Sequence, residues 1–151
     1  MIKKLLITVL LFSSILCYAD DDYTKYGAIY PADFMPSKYD LDTTSDAIKL
    51  LDIGYFNINS NLEPSLVTHE RIRILKKSGF EKSNIKIRFV SYNGRERIAH
   101  LKAHTYWIDS TNKINSKEVD NSQFHYTKIN EYISEVSFTF PNLQVGCIIE
   151  Y

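Results

Sequence analysis

Three groups of residues in this chain have types and spacing that bear on chemistry. His100 and His104 stand in an H-x-x-x-H spacing, which on a helix puts two imidazoles on one face for metal binding. On a strand the same spacing separates them by about 13 Å, at roughly 3.3 Å per residue. An Asn93-Gly94 turn just upstream favours the strand, so two histidines on a sheet face are expected and no metal ligands are assigned. Cys147 would act as a nucleophile only with a base nearby and a cationic, partly open environment. It lies inside the apolar run 145–149 and reads as a small buried hydrophobe. Glu150, between Ile149 and Tyr151, is a carboxylate in such a strand and must find a partner or face solvent. A structural salt bridge or hydrogen bond is expected there before an acid–base role. No Gly-rich phosphate loop, Ser-His-Asp ordering or paired-carboxylate motif stands out, so no catalytic, cofactor-binding or metal residue is assigned and no cofactor is expected.

The distribution of charge and the aromatic residues are more informative than any motif. Between residues 70 and 102 there are ten basic residues and three acids, whereas residues 20–63 hold nine acids and three lysines. Arg71 and Arg73 alternate with apolar neighbours, as do Lys86 and Arg88, so each pair shares one face of its strand. Three accounts stay open for these four residues: a solvated face, a binding face for an anionic polymer, or a docking face for the acidic arm. Tyr92, Tyr106, Trp107 and Tyr126 are candidate sugar-stacking rings, set against the alternative that most of them are core.

The elements that must position these groups follow from length and pattern. The chain has 151 residues, 18 Lys+Arg against 18 Asp+Glu, 44% hydrophobic and 13% aromatic residues, with only five glycines and four prolines. That excludes a disordered or collagen-like chain, and zero net charge argues against a dedicated nucleic-acid binder. Residues 1–19 carry Lys3 and Lys4, an apolar run from Leu5 to Leu16 and a small residue, Ala19, before three aspartates. This is the three-part pattern of a secretory signal peptide, too short for a membrane span. Lipidation at Cys17 is disfavoured because Leu16 stands where such signals prefer a small residue. Export to the periplasm or beyond is therefore expected. Cleavage would leave 132 residues, a net charge of −2 and Cys147 as the sole cysteine, hence no internal disulfide.

Residues 20–46 read as an acidic irregular arm, with one helical turn at 31–35 stopped by Pro36. Tyr26, Tyr30, Phe34 and Tyr39 are placed to pin the arm to the main body. Residues 47–151 read as the main domain. Short alternating segments with turns every 8–12 residues predict an all-β antiparallel β-sandwich of about seven or eight strands. Residues 47–53 form one segment, ended by Gly54, and 55–58 another. Asn93-Gly94 signals a tight hairpin between 85–92 and 97–108. The final run, 145–151, is apolar on both faces like a central strand. It either ends naturally there or belongs to a chain truncated within a larger protein, which would leave an exposed apolar edge.

Four segments match one pattern in order and spacing: AIKLLDIG (47–54), HERIRILKKSG (69–79), AHTY (103–106) and FTFPNLQVGCIIEY (138–151). Together with Asp33-Phe34 and Tyr39-Asp40 in the lead-in, they resemble the secreted domain-of-unknown-function family 3857, found in Bacteroidota and related bacteria. That resemblance implies an exported β-sandwich without an established activity, usually N-terminal to a transglutaminase-like domain. The transglutaminase-like domain and its Cys-His-Asp triad are absent from this chain, so no catalytic residue carries over. The expected function is a non-enzymatic accessory module for such a downstream domain or an envelope component. The runner-up is a carbohydrate- or envelope-polymer-binding sandwich. A final expectation joins arm and stripe: if the Arg71/Arg73 and Lys86/Arg88 strands are neighbours, Asp40, Asp42 or Asp46 should offset their repulsion, with Phe34 and Tyr39 as anchors.

Overall fold

A computed structural model describes residues 22–35, 42 and 44–151. The protein is all-β. Among the described residues, eight strands form two antiparallel sheets: β1 (Ala47–Ile58), β2 (Pro64–Ile74), β3 (Asn84–Val90), β4 (His104–Ile108), β5 (Ile114–Glu118), β6 (His125–Lys128), β7 (Ile133–Thr139) and β8 (Ile148–Glu150). One sheet has the order β1-β2-β8-β4-β5 and the other β3-β7-β6. The signal segment with Cys17, and Tyr39 and Asp40 of the arm, lie outside the described residues. No described helix is long and apolar enough to cross a membrane.

Alternation decides which face each strand buries. On β2, Ile72 and Ile74 point inward with Ile149 of β8, and they meet Phe138 and Phe140 from the β7 side. On β3, Ile85 and Ile87 oppose Phe138 and Val136, leaving Lys86 and Arg88 exposed on the outer face. Phe138 is the hinge of this core, packed edge-on against Phe124 at 5.1 Å and Phe140 at 5.6 Å between ring centres. Each such side chain contributes about 1.5–3 kcal/mol when fully buried. A short turn at Lys77–Ser83 closes one end, where Gly79 approaches the Asp46 carbonyl so closely that an added Cβ would lie 2.4 Å from its oxygen.

Three expectations change at this level. Gly54 does not end a strand: β1 runs twelve residues through it, because eleven cross-strand partners on β2 hold the backbone extended from Ala47↔Ile74 to Ile58↔Pro64. Asn93-Gly94 does adopt positive φ at both residues, yet the chain does not fold back as a hairpin. Glu96 closes the turn, its N–H donating to the Val90 carbonyl and its carboxylate accepting from Val90 N–H. Residues 95–103 then cross without strand structure, so β3 pairs with β7 and β4 joins the other sheet. Finally, the 148–150 strand has neighbours on both sides, β2 and β4, with Ile148, Ile149 and Glu150 fully buried. It is central, as its pattern implied, and it leaves no exposed edge of its own.

Side-chain carboxylates stitch the turns. Asp109 accepts from Thr111 N–H at 2.9 Å, Thr111 Oγ1 at 2.6 Å, Lys113 N–H at 3.1 Å and Asn115 Nδ2 at 2.9 Å. These bonds hold its carboxyl well below the usual range, the Thr111 hydroxyl most of all. Asp42 is lowered to about 2 by Thr44 and Ser45 in the same way. A depressed carboxyl contributes stability that is present above its ordinary value and lost as pH falls through the lowered one. Melting temperature should therefore hold down to about pH 4 and then fall steeply towards pH 2. Asp109→Asn should flatten that slope; an unchanged slope in the variant would show that these bonds do not set the acid limit.

Candidate functional site

The chemistry-bearing residues converge on the outer face of the five-stranded sheet, where β8 lies between β2 and β4. Strand register brings them together. Arg71 stands opposite Glu150, and His104 stands opposite Glu150 from the other side. Alternation then adds His69 and Arg73 on β2 and Tyr106 on β4 to the same face. Glu150 and Arg71 are fully buried, His69 is 7% exposed and Tyr106 7%.

Glu150 is the centre. Its Oε1 accepts from Arg71 Nη2 at 2.7 Å, Arg71 Nε at 3.1 Å and His69 Nε2 at 2.8 Å. Its Oε2 accepts from the Gly27 N–H at 3.0 Å. His69 Nδ1 lies 3.1 Å from the Thr24 carbonyl.

The N-terminal arm seals the cluster, and it does so with its main chain. Arg71 donates to the carbonyls of Tyr23 (3.3 Å) and Lys25 (3.2 Å), with the Tyr23 ring 4.9 Å from its guanidinium carbon. Arg73 donates to the carbonyls of Phe34 and Met35, at the end of the 3-10 turn Pro31–Phe34. Carbonyls thus meet the cations, and one amide meets the anion. Gly27 takes φ +82 to turn its amide inward, a conformation that L residues rarely adopt. Tyr26 completes the lid, its hydroxyl 2.8 Å from His104 Nδ1 and its ring against both His69 and His104. Burial raises the Tyr26 and Tyr106 hydroxyls, helped for Tyr106 by the Glu150 charge. Burial also lowers Arg73, against the opposing pull of Asp33. Arg73 Nε has no hydrogen-bond partner among the described residues.

The expected binding residues separate. Arg71 and Arg73 do dock the arm, but they are buried and cannot present a face to an anionic polymer. Lys86 and Arg88 lie on the other sheet, with Arg88 paired to Glu135 at 2.9 Å. The two basic strands are therefore not neighbours, and no repulsion between them needs offsetting. Asp46 serves elsewhere, bonded to Ser78 at 2.6 Å and 4.0 Å from Lys76, and Asp42 binds its own turn. Of the four candidate rings, Tyr106 is covered by the arm and Trp107 packs against the core. Tyr92 is exposed beside Tyr132. Tyr126 lines a separate open groove of about 450 Å³ with His100, Lys102, Glu118 and Phe124. The rings form no common platform. His100 sits in a loop at φ 55 and His104 on β4, and no group of three or more metal-ligating side chains occurs among the described residues. Cys147 is 1% exposed, with its thiol pushed up by burial.

Comparison with known proteins leaves this geometry to speak for itself: no family model, no curated protein and no solved structure matches the chain.

Sequence reasoning assigned Glu150 a structural partner without identifying it. The available signal was the alternation of His69, Arg71 and Arg73, three basic residues on one face of a strand. Breaking one partner of a buried ion pair costs about 3–5 kcal/mol because the other charge stays buried and unpaired. Glu150→Gln should therefore lose stability on that scale in urea titration and expose residues 22–35 to protease. Arg71→Met with Glu150→Leu should recover at least half the loss. A single substitution costing under about 1 kcal/mol would place the pair in the class of weak surface bridges instead.

Proposed function

We propose that this chain is an exported, non-enzymatic accessory β-sandwich module that supports or positions a separate catalytic domain of the transglutaminase-like or peptidase kind. One observation carries the reading. Both carboxylate oxygens of Glu150 are engaged by protein donors, and the arm closes over them. A general base must come within reach of a substrate proton, whereas Glu150 is fully buried beneath the arm. The thiol of Cys147 is likewise enclosed in the core, away from the open, cationic setting that activates a cysteine. The residues with chemical potential are spent on holding the arm to the sheet.

Polymer binding through a basic, aromatic face has less support, since Arg71, Arg73 and Tyr106 are buried and Tyr92 lies apart from the Tyr126 groove. The link to a transglutaminase-like partner rests on the segments 47–54, 69–79, 103–106 and 138–151 and on the signal-peptide pattern of residues 1–19.

Incubation of the intact chain with peptide and glycan panels should give no turnover. Robust turnover abolished by His104→Ala or Cys147→Ala would overturn the accessory reading. A glycan-array signal lost in Tyr126→Ala would favour the polymer-binding alternative.

A further inference from the structure

β5 and β6 are edge strands of the two different sheets, and the open groove of about 450 Å³ takes lining residues from both. Its volume falls within the roughly 300–1,000 Å³ of small-molecule sites. The crossing segment 95–103 and the turn Asn121–Gln123 supply the rest of the lining. The frame around it is fixed. Val119 N–H donates to the Ala103 carbonyl at 2.9 Å, and both residues are fully buried. Phe124 packs edge-on against Phe138. Asp120 caps the turn, accepting from Ser122 N–H at 2.8 Å and Ser122 Oγ at 2.6 Å. That carboxylate is engaged, and among the described residues Glu118 is the one acid that lines the groove.

The lining holds an apolar wall and two opposite charges, none of them used by the fold. Tyr126 stands in register with Val136, which is fully buried, so its ring is on the inner face of the smaller sheet. It is nevertheless 58% exposed, whereas Phe124 on the same side is packed into the core. The charges come from the other sheet. His104 stands opposite Glu118, and the Val119–Ala103 bond carries the ladder one residue further. Lys102 is therefore the diagonal neighbour of Glu118 on one face, within reach of a long side chain. The two do not pair. Lys102 has no hydrogen bond or ion pair among the described residues, and Glu118 has only a 4.0 Å approach to His104 Nε2. Beside them His100 takes φ 55, and residues held in that left-handed region cluster at ligand clamps.

We infer that this groove binds a free α-amino acid with an apolar side chain, its carboxylate on Lys102, its ammonium on Glu118 and its side chain against Tyr126. The charges select the class. A ligand of one sign would meet like charge from one of the two residues, and an uncharged sugar would desolvate both without neutralising either. An α-amino acid carries both charges on one carbon and fits between diagonal neighbours. An aromatic side chain gains most from the Tyr126 ring. Binding without turnover goes beyond the accessory-module reading and does not depend on it.

The test titrates the full chain with L-phenylalanine and follows the backbone amide resonances of residues 100–102 and 118–126. Saturable shifts should appear there, with an affinity on the order of millimolar, as suits an open groove. 3-Phenylpropionate lacks the ammonium and 2-phenylethylamine lacks the carboxylate; each should bind at least tenfold more weakly. Lys102→Met should reduce phenylalanine to the affinity of phenylethylamine, and Glu118→Gln to that of phenylpropionate. Tyr126→Ala should weaken phenylalanine at least tenfold. Melting temperatures report whether these variants are folded, and the three-ligand comparison on the unaltered chain needs none of them. Absence of saturable shifts with phenylalanine overturns the site, as does equal affinity for the three ligands. Saturation of the same amides by maltose but not by phenylalanine overturns it too, and makes the groove a sugar site.

Discussion

The ion pair between Glu150 and Arg71 is the interaction on which the rest of this structure depends, since both groups are fully removed from water on the central strand of the larger sheet and its neighbour. Taking charges out of water costs several kcal/mol per ion, and a lone ion pair does not recover it unless the remaining lone pairs and protons are also bonded. Here His69 and the Gly27 amide supply the carboxylate's other bonds, and the Tyr23 and Lys25 carbonyls take the guanidinium's other protons. The arm is thus part of the condition for burying the pair. Sheet and arm are held by one bonding network: an arm lifted off would leave Arg71 and His69 without their carbonyl acceptors and Glu150 without its amide.

That network explains why main chain, not acidic side chains, holds the arm. A carboxylate delivered to a face that already contains Glu150 would add a second negative charge to a cluster of limited cationic capacity. A carbonyl brings an acceptor without a full charge and suits a guanidinium with five protons to place. The surface pairs show the contrast in magnitude. Lys76–Asp46 has side chains nearly half exposed at a separation of 4.0 Å, and pairs of that kind contribute about 0–1 kcal/mol. Asp46 does its structural work through its backbone carbonyl, which accepts from both Leu75 and Lys76. Aromatic packing assists, with Tyr26 wedged between two imidazoles and Tyr23 stacked on Tyr30.

The sheet is managed unevenly. Where β1 and β2 border the cluster, a bulge, Lys49, Asp52 and Glu70 protect the edge, and β8 covers the other flank. Beyond Glu70 the same two strands continue as a ribbon, apolar on both sides. A protein that relied on composition for solubility would place a charge there. Its absence across a well-registered hairpin separates an end of the domain closed by the arm from an end where Tyr55, Phe56, Leu66 and Val67 are exposed.

Much of the architecture is local and was therefore readable from residue order. Alternation in 71–74 and 85–89, the asparagine turn at 59–61, the single turn after Pro31 and the two-faced apolar pattern of 145–151 are each decided by a residue's own backbone preference and its neighbours' polarity. These determine an all-β chain with a central final strand and a need for a partner at Glu150. What they cannot determine is which strands meet. Asn93-Gly94 forms its turn, but whether the following segment returns to the same sheet depends on competition between β7 and residues 95–103 for the edge of β3, a contact nearly 50 residues away in sequence. The same holds for the site: Arg71 and Glu150 are 79 residues apart, and only the register of β2 against β8 brings them face to face. Arg71 and Lys86 carry equal charge on similar alternating strands; Arg71 is buried because arm residues 23–35 cover its face of the larger sheet, whereas Lys86 is exposed on the smaller one. Backbone propensity acts over a few residues, whereas burial, and with it the value of every charge, is decided by the assembled layers.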